Sequence, residues 1–161
     1  VSIPDVTLSK SQKRLLSKAQ FLRWEMKPEM DEEWFELYSR YICKRHKNGT
    51  MYPPKRDEFY RFAQTSWLTT SFLHIYDESN QLLAIAVTDV MTQCSSAFYT
   101  FFDPDYPLSL GTLAVLYQIK YCQENKQQWL YLGYQIDECP AMNYKTRFQR
   151  HQRLVNQRWR G

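Results

Sequence analysis

Ser96-Ala97-Phe98-Tyr99-Thr100-Phe101-Phe102-Asp103-Pro104-Asp105-Tyr106-Pro107-Leu108-Ser109-Leu110-Gly111-Thr112 is the stretch that decides how this chain is arranged. Its first half is aromatic and β-preferring, and it breaks at Asp103-Pro104, where proline disfavours continued regular structure. A short polar turn then leads into an apolar pattern of helical period from Leu110 onward. The reading is a buried strand that feeds a helix through a tight loop. Backbone N–H groups at such a helix start have no partner within the helix and can receive a phosphate, a carboxylate or a developing oxyanion.

Upstream, Phe72–Tyr76 and Leu82–Val90 read as two strands of a hairpin around Asp77-Glu78-Ser79-Asn80. Leu82 to Val87 is unbroken apolar sequence, as in a central strand covered on both faces, and Asp89 near its end is the exception. Phe21–Met26 alternates and is closed by Pro28, which predicts another strand. Asp31 is placed to cap a helix in which Trp34, Tyr38, Tyr41 and Ile42 share one face, ending near Asn48-Gly49, and Phe59, Phe62 and Ala63 suggest a second, short helix. Downstream of the long helix, Trp129–Ile136 reads as a strand, parallel to Ala97–Phe102 because a helical crossover separates the two. Residues 1–20 are polar with no convincing apolar period before Leu15 and read as a leader or linker, leaving 21–161 as one domain. The fold class is α+β, a mixed β-sheet with flanking helices in which antiparallel strands precede a helix crossover to a parallel strand.

The chain has 161 residues, 43% hydrophobic and 16% aromatic, with only 4 glycines, which excludes disorder and low complexity. Cys43, Cys94, Cys122 and Cys139 stand singly, without metal-ligand spacing or a disulfide framework, and no apolar run can cross a bilayer; a reducing cytoplasm is expected. No Walker loop, dinucleotide fingerprint, zinc triad or Ser-His-Asp set is present. Net charge is +4, yet from Lys145 onward there are six basic residues and no acidic one. That tail can meet a polyanion such as RNA or form a solvated helix face.

Four groups of residues can carry chemistry. Ser109, Leu110, Gly111 and Thr112 form the turn into the helix, where Gly111 permits close approach and the hydroxyls can cap the helix or touch a phosphate or ribose. Asp103 and Asp105 can orient or deprotonate an amine, or can bond the turn's own backbone. Tyr99 and Tyr134 would line the gap if the two parallel strands splay apart, offering aromatic walls to an adenine. Arg40, Arg45, Lys145 and Arg147 can form a pocket for an acidic group.

Tyr99-Thr100-Phe101-Phe102-Asp103-Pro104-Asp105, Ser109-Leu110-Gly111-Thr112 with Leu116 and Gln118-Ile119, and Tyr131-Leu132-Gly133-Tyr134 with Ile136, Cys139, Met142, Tyr144-Lys145 and Phe148 together resemble the C-terminal domain of the arginyl-tRNA–protein transferase family. Earlier matches are Tyr38, Arg40-Tyr41, Arg45-His46, Ser66-Trp67, Phe72 and Ala86–Val90, so the resemblance spans roughly Phe21 to Trp159. Within the family the motifs sit nearest the bacterial branch that transfers leucine to N-terminal Asp and Glu. The resemblance implies a GNAT-like fold and transfer of an aminoacyl group from charged tRNA to a protein α-amine, marking that protein for degradation. Asp103 or Asp89 would handle the amine proton, and backbone N–H groups near Ser109 to Thr112 or a Tyr hydroxyl such as that of Tyr99 would stabilise the oxyanion. Ser109 to Thr112 and Tyr134 would hold the tRNA 3′ end. Arg40, Arg45, Lys145 and Arg147 would read the acidic acceptor, and the basic tail would contact tRNA phosphates. No cofactor is needed, because the ester is already activated, and a monomer is expected. Ala141 stands where the family commonly has Lys, and nothing matches the family's N-terminal cysteine-rich domain, so the chain reads as the catalytic domain alone. The same reaction with arginine as the donor amino acid, a CoA-dependent N-acetyltransferase, which normally carries a glycine-richer loop, and a non-catalytic RNA- or degron-binding module are the rival readings.

Overall fold

A computed structural model describes residues 1–64 and 67–161; Ser66 of the family resemblance lies outside the described residues. Strands β1 (Arg23–Lys27), β2 (Thr69–Tyr76), β3 (Leu82–Val90), β4 (Cys94–Phe102) and β5 (Trp129–Tyr131) form one sheet in the order β1-β2-β3-β4-β5. The first three pairings are antiparallel and β4–β5 is parallel, as the helix crossover predicts. The β2–β3 turn is closed by the Asp77 carboxylate, which accepts from the N–H groups of Ser79 and Gln81 at 2.8 and 2.9 Å, with Asn80 left-handed at φ 62°.

Helices cover both faces. On one, α2 (Trp34–Arg45) and α3 (Arg56–Ala63) bury Trp34, Tyr38, Ile42 and Phe59 against Phe72, Ile85, Val87 and Phe101. On the other, α4 (Leu110–Glu124) lays Leu110, Leu113, Ala114 and Tyr117 on Leu73, Ile75, Ala84 and Ala86. The alternation of β3 between the two helix layers follows from its period of two. Its unbroken apolar run is the signature of that double coverage.

Three expectations are corrected. Asp31 does not cap α2, whose first residue is preceded by Glu33 with no side-chain cap. Its carboxylate instead takes Lys27 Nζ at 2.9 Å and the Tyr76 hydroxyl, while its N–H donates to His74 Nε2 at 3.0 Å. The last strand stops at Tyr131, not Ile136, since Gly133 turns left-handed at φ 79° and extended pairing cannot continue through it. The basic tail is neither a helix nor featureless: a 3-10 turn (Asn143–Arg147) leads to a hairpin of β6 (Arg153–Val155) and β7 (Arg158–Arg160). Asn156 and Gln157 both take positive φ there, the geometry of a tight two-residue hairpin turn.

Residues 1–20 also carry structure. Helix α1 (Lys10–Lys18) opens with a reciprocal capping box between Ser9 and Gln12, and Val1 and Ile3 are buried with Val115, Leu116 and Leu130. Main-chain bonds from Ile3 to Gln128 and from Leu130 to Val1 extend the sheet beyond β5. All four cysteines are free thiols, and among the described residues no helix is long and apolar enough to cross a membrane.

His74 is fully buried and donates through Nδ1 to the Phe72 carbonyl at 2.9 Å while Nε2 accepts from Asp31, so it is held neutral; burial lowers its pKa below the usual 6.5. A histidine whose folded pKa is depressed loses stability as pH falls below its unfolded pKa, because the unfolded chain then binds the proton more readily. Urea unfolding is therefore expected to show falling stability from about pH 6.5 downward. His74→Gln should flatten that slope, leaving the part due to His46, whose pKa burial also lowers.

Candidate active site

The loop from β4 to α4 is held by charge. Asp103 Oδ1 accepts from the Asp105 N–H at 2.9 Å and from Arg40 Nη2 at 3.0 Å, and the Asp103 N–H donates to the Leu83 carbonyl at 2.8 Å. Lys44 pairs with Asp105, whose pKa its hydrogen bond lowers, so that carboxylate stays ionised. Both aspartates are thus engaged in the turn and by two basic residues of α2.

Beyond the turn, Ser109 makes no capping bond to the helix; its hydroxyl donates to Thr112 Oγ1 at 3.0 Å. Among the described residues nothing accepts the N–H groups of Leu110, Gly111 and Thr112, so the first turn of α4 presents unpartnered donors at its positive end. A Cβ on Gly111 would meet only Phe102 Cε1, at 3.5 Å, an ordinary contact. The fold itself does not demand glycine there.

Phe102, next to Gly111, also meets the C-terminal end of α2. The Arg45 guanidinium lies 5.0 Å from the centroid of Phe102, and Tyr41 packs on the same ring at 4.9 Å. Tyr41 OH and His46 Nε2 are 3.0 Å apart. Burial pushes Tyr41 up to about 12, and burial, then Arg45, lowers His46, so at neutral pH the pair is an uncharged phenol and imidazole. Helical periodicity had no means of finding this pair, because His46 lies just past the last turn.

Tyr99 packs against Phe59 and Phe62, and burial, with Tyr41 and Tyr38 nearby, raises its pKa well beyond the ordinary tyrosine range. It remains a neutral hydroxyl. Asp89 is buried, 8% exposed, and one oxygen accepts from Thr70 Oγ1 at 3.1 Å. The sheet register sets Thr70, Asp89, Ser96 and Tyr131 in one row across four strands. Beside that row Phe98 is the extra residue of a β-bulge, since Val87 pairs with Tyr99 and Thr88 with Ala97. The β4–β5 ladder ends at Ser96–Tyr131, so Ala97–Phe102 has no strand on that side. The anticipated splay is present.

Ser96 and Tyr131 open into a cavity of about 600 Å³ roofed by the C-terminal hairpin, with Lys145, His151, Arg153 and Trp159 in its walls. Lys145 Nζ bonds the Tyr134 carbonyl, and burial lowers its pKa. Tyr134 lines the same cavity, largely exposed, whereas Tyr99 belongs to the α2–α3 core. The four basic candidates divide. Arg40 and Arg45 are engaged on α2, Lys145 lines the cavity, and Arg147 is exposed with its carbonyl bonded to Gln12. The sequence offers Arg153 only as one charge of the basic tail and gives His151 and Trp159 no role, because the tail's composition does not reveal a hairpin. Among the described residues no group of three or more His, Cys, Asp or Glu is placed to hold a metal.

Residues 33–155 match the family model described as arginine-tRNA-protein transferase, C terminus. The chain belongs to this family. The transferase chain is 87% identical over 161 residues to the aspartate/glutamate leucyltransferase of Vibrio parahaemolyticus, covering 100% of this chain and 69% of that protein. It is 40% identical to the protein of the same name from Saccharophagus degradans, covering 99% and 68%. Among solved structures, L-PGS from Bacillus licheniformis superposes with TM-score 0.65 at 9% identity, over 84% of this chain and 45% of that one. The ribosomal-protein-S18-alanine N-acetyltransferase of Escherichia coli superposes with TM-score 0.50 at 15% identity, over 77% and 76%. These likenesses concern the fold, which is GNAT-like as the motifs imply.

Since the fold leaves room for a side chain at Gly111, Gly111→Ala should be neutral or stabilising by less than about 1 kcal/mol. Urea melting checks this, and a large destabilisation would mean that the turn is tighter than the Phe102 contact shows.

Proposed function

We propose that this transferase moves leucine from charged tRNA to the α-amine of cytoplasmic proteins beginning with Asp or Glu. The observation that carries the reading is the 87% identity, across the whole chain, with a protein named aspartate/glutamate leucyltransferase. The open β4–β5 splay supplies a place for the ester between the two sheet strands.

Distance decides how the work is divided. Six steps of strand lead from Ser96 to Phe102, about 20 Å of extended chain, so Asp89 and the first turn of α4 do not touch the same carbonyl. The unpartnered N–H groups of Leu110, Gly111 and Thr112, with Ser109, are assigned to a backbone phosphate near the tRNA 3′ end, and the terminal ribose and ester lie along β4 toward the bulge. Tyr134 and the basic hairpin border that path. Asp89 is the preferred base, because Asp103 and Asp105 are committed to Arg40, Lys44 and the turn. The acceptor amine must be neutral to attack. Asp89 takes its proton, the nitrogen bonds to the ester carbonyl carbon, and the neutral Tyr99 hydroxyl is the donor nearest the oxyanion. Collapse breaks the carbon–oxygen bond to the ribose, whose oxygen recovers a proton. Of the basic residues proposed for the acidic acceptor, Lys145 lines the cavity, Arg45 and Arg147 lie outside its walls, and Arg40 is kept in the loop.

Transfer of radiolabelled leucine or arginine from tRNA onto peptides beginning with Asp, Glu, Lys or Arg tests the reading. Leucine is expected on Asp and Glu peptides only; arginine as the donor, or acetyl transfer from acetyl-CoA, would overturn it. Asp89→Asn keeps an acceptor for Thr70 and should lower kcat by about 10²–10⁴ with an unchanged Tm. Asp103→Asn should cost less than about tenfold, in keeping with its Asx turn.

A further inference from the structure

An arginine in the wall of the cavity under the C-terminal hairpin already holds a carboxylate. Arg153 donates through Nη2 to Asp137 Oδ2 at 2.8 Å, and the other Asp137 oxygen accepts from Gln135 Nε2 at 3.1 Å. Gln135 Oε1 is buried with no partner, which leaves an acceptor in the same wall without a donor. Asp137 itself is exposed, its side chain 62% accessible, and its pKa is lowered by Arg153 first and Gln135 second. An exposed ion pair of this kind contributes little to stability. Its place is more telling: a side-chain carboxylate from a loop occupies the one arginine that both lines the cavity and is ion-paired among the described residues.

The cavity's other walls suit an acidic residue at the start of a peptide. Tyr131 and Trp159, with ring centroids 6.1 Å apart, give an aromatic side to a chain entering from solvent. Lys145 and His151 add positive or titratable groups. Ser96 and Tyr131 form its inner end, and by register Ser96 stands directly beside Asp89, so a peptide whose side-chain carboxylate sits on Arg153 directs its α-amine toward the proposed base. Among the described residues, no acidic residue other than Asp137 forms an ion pair with the cations of the hairpin.

We propose that this cavity is the subsite for the N-terminal Asp or Glu of the acceptor, that Arg153 is its specificity residue, and that Asp137 is an internal stand-in which the incoming carboxylate displaces. The inference rests on the acceptor class given above. Arg153 forms a bidentate pair with the acceptor, as guanidinium does with carboxylates, and the freed Asp137 returns to solvent. Occupation of Arg153 by Asp137 lowers apparent affinity by competition, in the manner of a competing state that binding must displace.

The proposal separates from a structural ion pair by sign. Removing either partner of a merely structural pair acts in one direction, whereas here Arg153→Gln should weaken acceptor binding and Asp137→Asn should tighten it. Binding of fluorescein-labelled peptides beginning with Asp or Asn is followed by anisotropy without tRNA, and KM for the Asp peptide is measured separately in the transfer assay. Arg153→Gln is expected to weaken the Asp peptide at least tenfold, with little change for the Asn peptide, and Arg153→Lys to recover part of the loss. Asp137→Asn is expected to lower the Asp-peptide Kd and KM severalfold, and Tm values within a few degrees of the parent show that all three variants fold. Unchanged Asp-peptide binding in Arg153→Gln, or weaker binding in Asp137→Asn, overturns the proposal. So does a loss confined to a labelled RNA acceptor-stem hairpin, which would give the cavity to RNA. Asp-peptide binding that follows these signs, in a protein that transfers no leucine, supports the subsite and counts against the reaction alone.

Discussion

The parallel ladder between β4 and β5 is only three residue pairs long, and the rest of the molecule is arranged around its early end. Two local causes act together. The bulge at Phe98 twists β4 away from its neighbour, and Gly133 takes the other chain out of extended geometry two residues after the last pair. Backbone groups of β4 that would have bonded a neighbour are left facing a gap. In a closed sheet the space would be filled by strand; here it is bounded by the loop after β5, the 3-10 turn and the basic hairpin.

Such an opening is sustained because the remainder of the sheet is secured on both sides. β3 is buried from Leu83 to Asp89, with α2 and α3 on one face and α4 on the other. The Lys27–Asp31–Tyr76–His74 cluster fixes where the chain enters α2, and the Val1–Ile3 segment covers the outer side of β5. β5 is short yet paired along both edges. The polar row from Thr70 to Tyr131 continues the sheet past the bulge; its members Ser96 and Tyr131 line the cavity, and the buried Asp89 is the cross-strand partner of Ser96.

Much of the fold was legible because its strongest elements announce themselves locally. Leu82–Val90 was read to its observed bounds, since six unbroken apolar residues with the polar Thr88 and Asp89 only near the end fit a doubly covered strand. The start of α4 at Leu110 followed from the Pro-rich turn before it. The end of β5 was not legible: Leu132, Tyr134 and Ile136 continue a plausible strand pattern, and a single glycine is the whole signal. Asp31 looked like a cap because capping is decided by three residues, whereas its actual partners, Lys27, His74 and Tyr76, come from two other strands. Residues 1–19 hid for the opposite reason, as Val1, Ile3 and Ala19 are buried at irregular intervals that no period detects. At the site, Asp89 drew notice as a charge in an apolar run, but the cavity is assembled from distant segments and no spacing in the sequence reveals it.

Helix α2 lies on one sheet face and α4 on the other, yet Arg40 and Lys44 reach from the first to the loop that launches the second. Phe102 packs against both layers, and the rest of this link is made of charges, of which Arg40, Lys44 and Asp105 are exposed; mobile ions weaken that charged part over a screening length of about 8–10 Å at ordinary salt. Hydrophobic packing of either layer has no such sensitivity. Ionic strength thus acts selectively on the joint, loosening the seating of the α4 start while the two cores beneath it stay intact. A polyanion that draws Arg40 or Lys44 toward itself pulls on the same joint.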